Sequence, residues 1–213
     1  MKRMVAEQDV PYGSRLFTSG LHQFEVNLDD MLRVFEQYHL PVFIGTLVSN
    51  EKDLPPFIST QTDSIHAEAF RSVFHEAILA MDRRDTTKAW PLFLKAQQYD
   101  SGYAMCNYYL GRIAWANADY PHSKNYLVKA KELDALRFRA PLAVNDIIRR
   151  EAASFPNTHL VNVLDNFESH SPHGIIGSET ILEHLHPNLY GYALLSDAFF
   201  KSMQAGKIIS DHW

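Results

Sequence analysis

Apolar residues at Phe24, Leu28, Met31, Leu32, Phe35 and Tyr38 recur at intervals of three and four, which predicts a helix over residues 22–38 with one apolar stripe. Pro41 ends it. The run Val42-Phe43-Ile44-Gly45-Thr46-Leu47-Val48 then reads as a buried strand of a mostly parallel sheet. A polar, proline-stiffened loop, Ser49 to Phe57, follows. In an open α/β sheet, ligands gather at the loops leaving the carboxyl ends of strands. The same alternation returns after Arg137. Pro141 suits the first turn of a helix reaching residue 154, residues 160–163 read as a second strand, and residues 164–169 as a short helix. A Gly/Ser/Pro-rich loop over 171–178 leads into the block 181–188. Residues 189–203 close the chain as a helix with Tyr192, Leu195, Phe199 and Met203 on its apolar side.

The middle has a different rhythm. At an offset of 34 the chain pairs Ala77 with Gly111, Ala80 with Ala114, Ala89 with Ser123, Phe93 with Leu127, Ala96 with Ala130 and Asp100 with Asp134. Thirty-four residues is the period of the tetratricopeptide (TPR) repeat, a helical hairpin in which small residues let two helices approach closely. Residues 70–136 are therefore expected to form two TPR-like hairpins. The second is the better match, with Asn107 in place of the usual aromatic, and the first is degenerate at Val73 and Glu76. The expected organisation is an α/β segment over 1–62, a helical insert over 63–136 and a second α/β segment over 137–213.

Composition narrows the functional classes. A net charge of −5 gives no electrostatic footprint for nucleic acid. The longest apolar run, residues 40–48, is too short to cross a bilayer, and the charged start lacks the apolar stretch of a signal peptide. The single cysteine, Cys106, excludes an internal disulfide and a Cys-rich zinc site, and its helical setting makes it a small buried hydrophobe. Compartment stays open, and nothing calls for a cofactor.

Glu183 and His186 carry the most suggestive chemistry. A carboxylate and an imidazole three residues apart can share one turn and hydrogen-bond, which fixes the ring's tautomer and frees its other nitrogen as a general base. The same pair would also serve as a plain loop cap. His184 and His186 with Glu183 and either His170 or His173 would make a metal site, but two histidines in a loop commonly just bond backbone. Arg137 and Arg139 would bind an anionic group or, more simply, pair with Asp134 and Asp146. Asn50 and Asp53 would line the cleft or build the turn before Pro55 and Pro56. Tyr103, Tyr108, Tyr109 and Trp115 would furnish a peptide groove or fill the helical core.

The block Glu183-His184-Leu185-His186-Pro187-Asn188-Leu189-Tyr190-Gly191-Tyr192 resembles the last conserved block of SGNH (GDSL-type) hydrolases. Residues 23–28, 41–57 and 134–148, the last with Arg137-Phe138-Arg139-Ala140-Pro141, resemble a bacterial branch of that family carrying TPR repeats inside the hydrolase domain. The resemblance spans nearly the whole chain but only the later part of the family's architecture. It implies partial flavodoxin-like parallel-sheet segments flanking the helical insert. It also implies an acyl-ester substrate, His186 as the base and Glu183 as its orienting acid, where the family usually has aspartate. Asn50 and Arg139 are the substrate-side candidates. The family's serine sits in a Gly-Asp-Ser-like turn after an early strand. Here residues 1–10 are polar, Ser14 follows Gly13 without such a strand, and the nucleophile is not assigned. The expectation is thus the carboxyl-terminal portion of an ester hydrolase, holding the base without the serine block. The alternative is a non-catalytic interaction module that takes a peptide or protein partner on its TPR-like pair.

Overall fold

A computed structural model describes residues 9–208. The polar opening read at residues 1–10 falls, through residue 8, outside them. The described chain holds eight α-helices, a 3-10 turn and two short strands. The elements are α1 (Arg15–Gln37), β1 (Val42–Gly45), α2 (Ala67–Asp82), α3 (Thr86–Tyr99), α4 (Ala104–Ala116) and α5 (Tyr120–Leu133). They continue with α6 (Leu142–Ser154), β2 (Thr158–Val161), α7 (Val163–Ser169) and α8 (Leu189–Ala205). They divide into two compact units. One contains Glu51–Arg137 with the residues ending at Tyr12, and the other joins Gly13–Asn50 to the residues from Phe138 onward.

In the first unit, α2 pairs with α3 and α4 with α5. The 34-residue spacing recurs in the details. Asp85 and Asp119 cap α3 and α5 by accepting the Lys88 and His122 amides, at 3.0 and 3.4 Å. Arg84 and Ala118, in the turns just before those caps, are both left-handed at φ 59°. Ala77, Ala80, Ala89, Phe93 and Ala96 are buried, as are Leu127, Ala130 and Ser123 at their repeat positions. The helices approach so closely that a Cβ on Gly111 would lie 2.6 Å from Leu127 Cγ. Ser123, standing where the first hairpin has alanine, donates its hydroxyl to the Gly111 carbonyl at 2.9 Å. Asn107 replaces an aromatic with a satisfied polar plug. Its amide accepts from Gln97 Nε2 at 2.9 Å and donates to the Ser101 and Tyr103 carbonyls.

In the second unit, β1 and β2 run parallel, with Val42 opposite Thr158 and Gly45 opposite Val161. Period-two alternation sends their side chains to two cores. Val42, Ile44 and Leu160 pack with Leu28 and Leu32 of α1 and Ile147 and Ile148 of α6. Phe43 and Val161 pack on the other side with Phe167 of α7 and Leu194 and Phe199 of α8.

The expected α/β architecture, partial flavodoxin-like sheet segments around a helical insert, does not hold. The described chain is mostly helical, and its one sheet has two strands of four residues. The apolar run 42–48 is a strand only to Gly45. Beyond it the Thr46 hydroxyl accepts the Leu164 amide at 2.8 Å. The Asn145 side chain then bonds both the N–H and the C=O of Leu47, at 2.7 and 2.9 Å. With its backbone groups met by a side chain, the segment has no further strand to pair with. In α1 the helix starts seven residues earlier than the expected start at residue 22, because Ser14 caps it through Phe17 N–H at 3.1 Å. Of that stripe only Leu28 and Leu32 are buried, while Met31, Phe35 and Tyr38 stay exposed.

Candidate functional site

The block 180–188 folds back on itself. Ile181 and Pro187 form an antiparallel bridge, Leu182 N–H donates to the His186 carbonyl at 2.8 Å, and Asn188 N–H to the Thr180 carbonyl at 3.0 Å. Asn188 then caps α8 by accepting Gly191 N–H at 2.9 Å, and its amide donates to the Ser178 carbonyl. Gly191 is required here. A Cβ at that position would collide with the Thr180 carbonyl oxygen. Between these anchors lies the four-residue turn 183–186.

Inside that turn the Glu183 carboxylate accepts the amide N–H groups of His184, Leu185 (3.3 Å) and His186 (3.0 Å), and it also takes the His186 Nδ1 hydrogen. Partial desolvation pushes the carboxyl up, and these four hydrogen bonds outweigh it and hold Glu183 down at about 2. The carboxylate therefore both caps the turn and orients the ring, so the two readings of the pair coincide. His186 Nε2 is left as the acceptor nitrogen, on a side chain 65% exposed. Among the described residues no hydroxyl is bonded to it.

Asn50 and Arg139 meet the same turn from behind. Asn50 N–H donates to the His184 carbonyl at 2.9 Å, and Arg139 Nη1 donates to the Asn50 carbonyl at 3.2 Å. Both residues are nearly inaccessible, at 1% and 3% exposure, and these two bonds place them behind the turn. Of the carboxylates suggested as partners of the arginines, Asp134 exerts a charge attraction on the Arg137 guanidinium. Arg137 binds the Val10 and Glu132 carbonyls, Asp134 takes the Phe57 and Ile58 amides, and Asp146 pairs with Arg149. Ser14 is spent as the cap of α1. No group of three or more His, Cys, Asp or Glu able to hold a metal occurs among the described residues, so the histidines at 170, 173, 184 and 186 do not assemble into a metal site with Glu183.

The aromatic candidates pack within the helical unit. Tyr103 lies on Phe70 and Phe74, Tyr109 stacks on Phe93 at 5.0 Å, and Trp115 meets Tyr120 edge-on. A separate open cleft of about 360 Å³ at the carboxyl end of β2 is lined by Asn162, Asn166, Asp197 and Lys201. Neither Glu183 nor His186 lines it, and no sequence motif marked it. No helix among the described residues is long and apolar enough to cross a membrane. Comparison of the chain with protein-family profiles, curated proteins and solved structures finds no match.

Proposed function

We propose that this chain supplies the histidine base of an acyl-ester hydrolase, with an acetyl or other small acyl ester of a carbohydrate or lipid as substrate. The observation that carries this reading is the Glu183–His186 bond inside a turn locked at both ends. With Nδ1–H given to Glu183, Nε2 of His186 is oriented to take the proton of an attacking hydroxyl as that oxygen bonds to the acyl carbon. The imidazolium so formed is stabilised by the adjoining carboxylate, and it returns the proton to the departing alcohol. The resemblance of the 183–192 block to SGNH hydrolases supports the same roles. Asn50 and Arg139 act in this scheme as positioning residues behind the His184 carbonyl. The hydroxyl nucleophile is assigned to no described residue, so the chain by itself is expected to turn over esters poorly.

The test is hydrolysis of p-nitrophenyl acetate by the full chain. A slow, burst-free rate that falls to the background in His186→Ala is expected. Equal rates in the two proteins would overturn the base assignment. Rapid turnover with a burst, lost in His186→Ala, would place the nucleophile within this chain. The second reading is an interaction module built on the two TPR-like hairpins, favoured by the 34-residue recurrence of caps and turns. A partner retained by His186→Ala but lost on substitution of hairpin surface residues would favour it.

A further inference from the structure

Asp100 and Asp134 close the two hairpins 34 residues apart, and each is only 2% exposed. A buried carboxylate needs donors. Each takes one from its own turn, the Gly102 amide at 2.9 Å and the Leu136 amide at 3.2 Å. The remaining donors come from a distant stretch of the same chain. Asp134 accepts the consecutive amides of Phe57 (2.9 Å) and Ile58 (3.0 Å). Asp100 accepts the consecutive amides of Thr62 (2.8 Å) and Asp63 (3.4 Å), together with the Thr62 hydroxyl. Two equivalent carboxylates thus each read two successive N–H groups, five residues apart along one strap. Ala135 N–H donates to the Ile58 carbonyl at 3.0 Å, and Met105 N–H to Ser59 Oγ at 2.9 Å. Gly102 leaves the room in which Thr62 sits, since a Cβ there would come within 2.6 Å of Thr62 Oγ1. Upstream the strap is tied down again. Lys52 Nζ lies 4.4 Å over the Trp115 ring, and Arg112 donates to both the Lys52 carbonyl and Asp53 Oδ1 at 3.0 Å.

We propose that the paired hairpins are a receptor for pairs of successive main-chain amides, with one carboxylate per 34-residue repeat as the reading group, and that the resident ligand is this chain's own segment 57–63. Almost all the donors are main-chain amides, so the site reads backbone rather than a side-chain sequence. A foreign peptide reaches Asp100 and Asp134 only by displacing the strap. This gives the interaction module a specific occupant and stands independently of the ester-hydrolase reading.

The experiment uses the full chain and two readouts. Amide hydrogen exchange should show Phe57, Ile58 and Thr62 protected. Asp134→Asn should speed exchange at 57 and 58 at least tenfold while sparing 62, and Asp100→Asn should do the reverse. The second readout is anisotropy of a fluorescein-labelled peptide copying residues 55–64. It should bind Ile58→Pro, which removes one resident N–H without touching the hairpins, at least tenfold more tightly than the unaltered chain. That gain should vanish when Asp134→Asn is added. Unprotected amides in the unaltered chain, exchange indifferent to both aspartate substitutions, or equal peptide binding to the unaltered chain and Ile58→Pro would each overturn the proposal.

Discussion

Replacing Glu183 by glutamine keeps the side chain's shape and most of its acceptor geometry but removes its charge. In the folded chain the carboxyl is held near 2 instead of 4.5 by the bonds from the His184, Leu185 and His186 amides and the His186 ring. That drop corresponds to roughly 3.4 kcal/mol at about 1.36 kcal/mol per tenfold change in proton affinity. The side chain is 39% exposed, and water screens a group so placed, so about 1–2 kcal/mol is the expected contribution. Because the folded value is depressed, the contribution is complete above about pH 4.5 and is lost as pH falls toward 2. Glu183→Gln should therefore lower stability by about 1–2 kcal/mol at pH 7, which is about 2–8 °C in Tm for a chain of this size. The gap between the two proteins should narrow steadily below pH 4.5. Urea midpoints at pH 7, 5, 3.5 and 2.5 measure it. A gap that is absent at pH 7, or that stays constant down to pH 2.5, would refute the claim that the charged carboxylate holds this turn.

Four further outcomes follow from particular residues. Gly191→Ala should destabilise the chain by more than about 2 kcal/mol, because its Cβ meets backbone at Thr180 rather than a yielding side chain, and thermal melting checks this. Ala118→Gly should raise stability by about 0.5–1 kcal/mol, since φ 59° strains alanine and suits glycine. Cys106 is fully buried, and burial pushes its thiol up to about 12, so a thiol reagent at pH 8 should label it only at the rate of unfolding. Burial, followed by the nearby Asp29 and Glu25 charges, raises the Glu151 carboxyl above its ordinary value, so its ionised form costs stability at neutral pH. Glu151→Gln should accordingly raise the urea midpoint at pH 7, with the gain fading as pH falls and the native carboxyl protonates.

The sequence by itself determined the parts whose causes are local. The 34-residue recurrence located both hairpins because each small residue answers to a helix only one turn away in the chain. Alanine or glycine at 77, 80, 111 and 114 has the same neighbours wherever the unit sits. Glu183 and His186 were legible for the same reason, since three residues of separation suffice to bring a carboxylate to a ring. The tertiary structure decided everything that depends on partners far along the chain. The run 42–48 carries the hydrophobicity of a longer strand, yet Asn145, 98 residues from Leu47, takes its backbone and ends it. The sequence offered Arg139 either an anionic group or a local carboxylate, and only folding showed it buried, with Nη1 on the Asn50 carbonyl. Asp100 and Asp134 stood out as a repeated letter, and nothing in their spacing marked residues 57–63 as the donors they bind. Periodicity records which face of an element is apolar. It does not record which distant polar group will satisfy a particular N–H or C=O, and in this protein those long-range bonds shape the turn, the sheet and the strap.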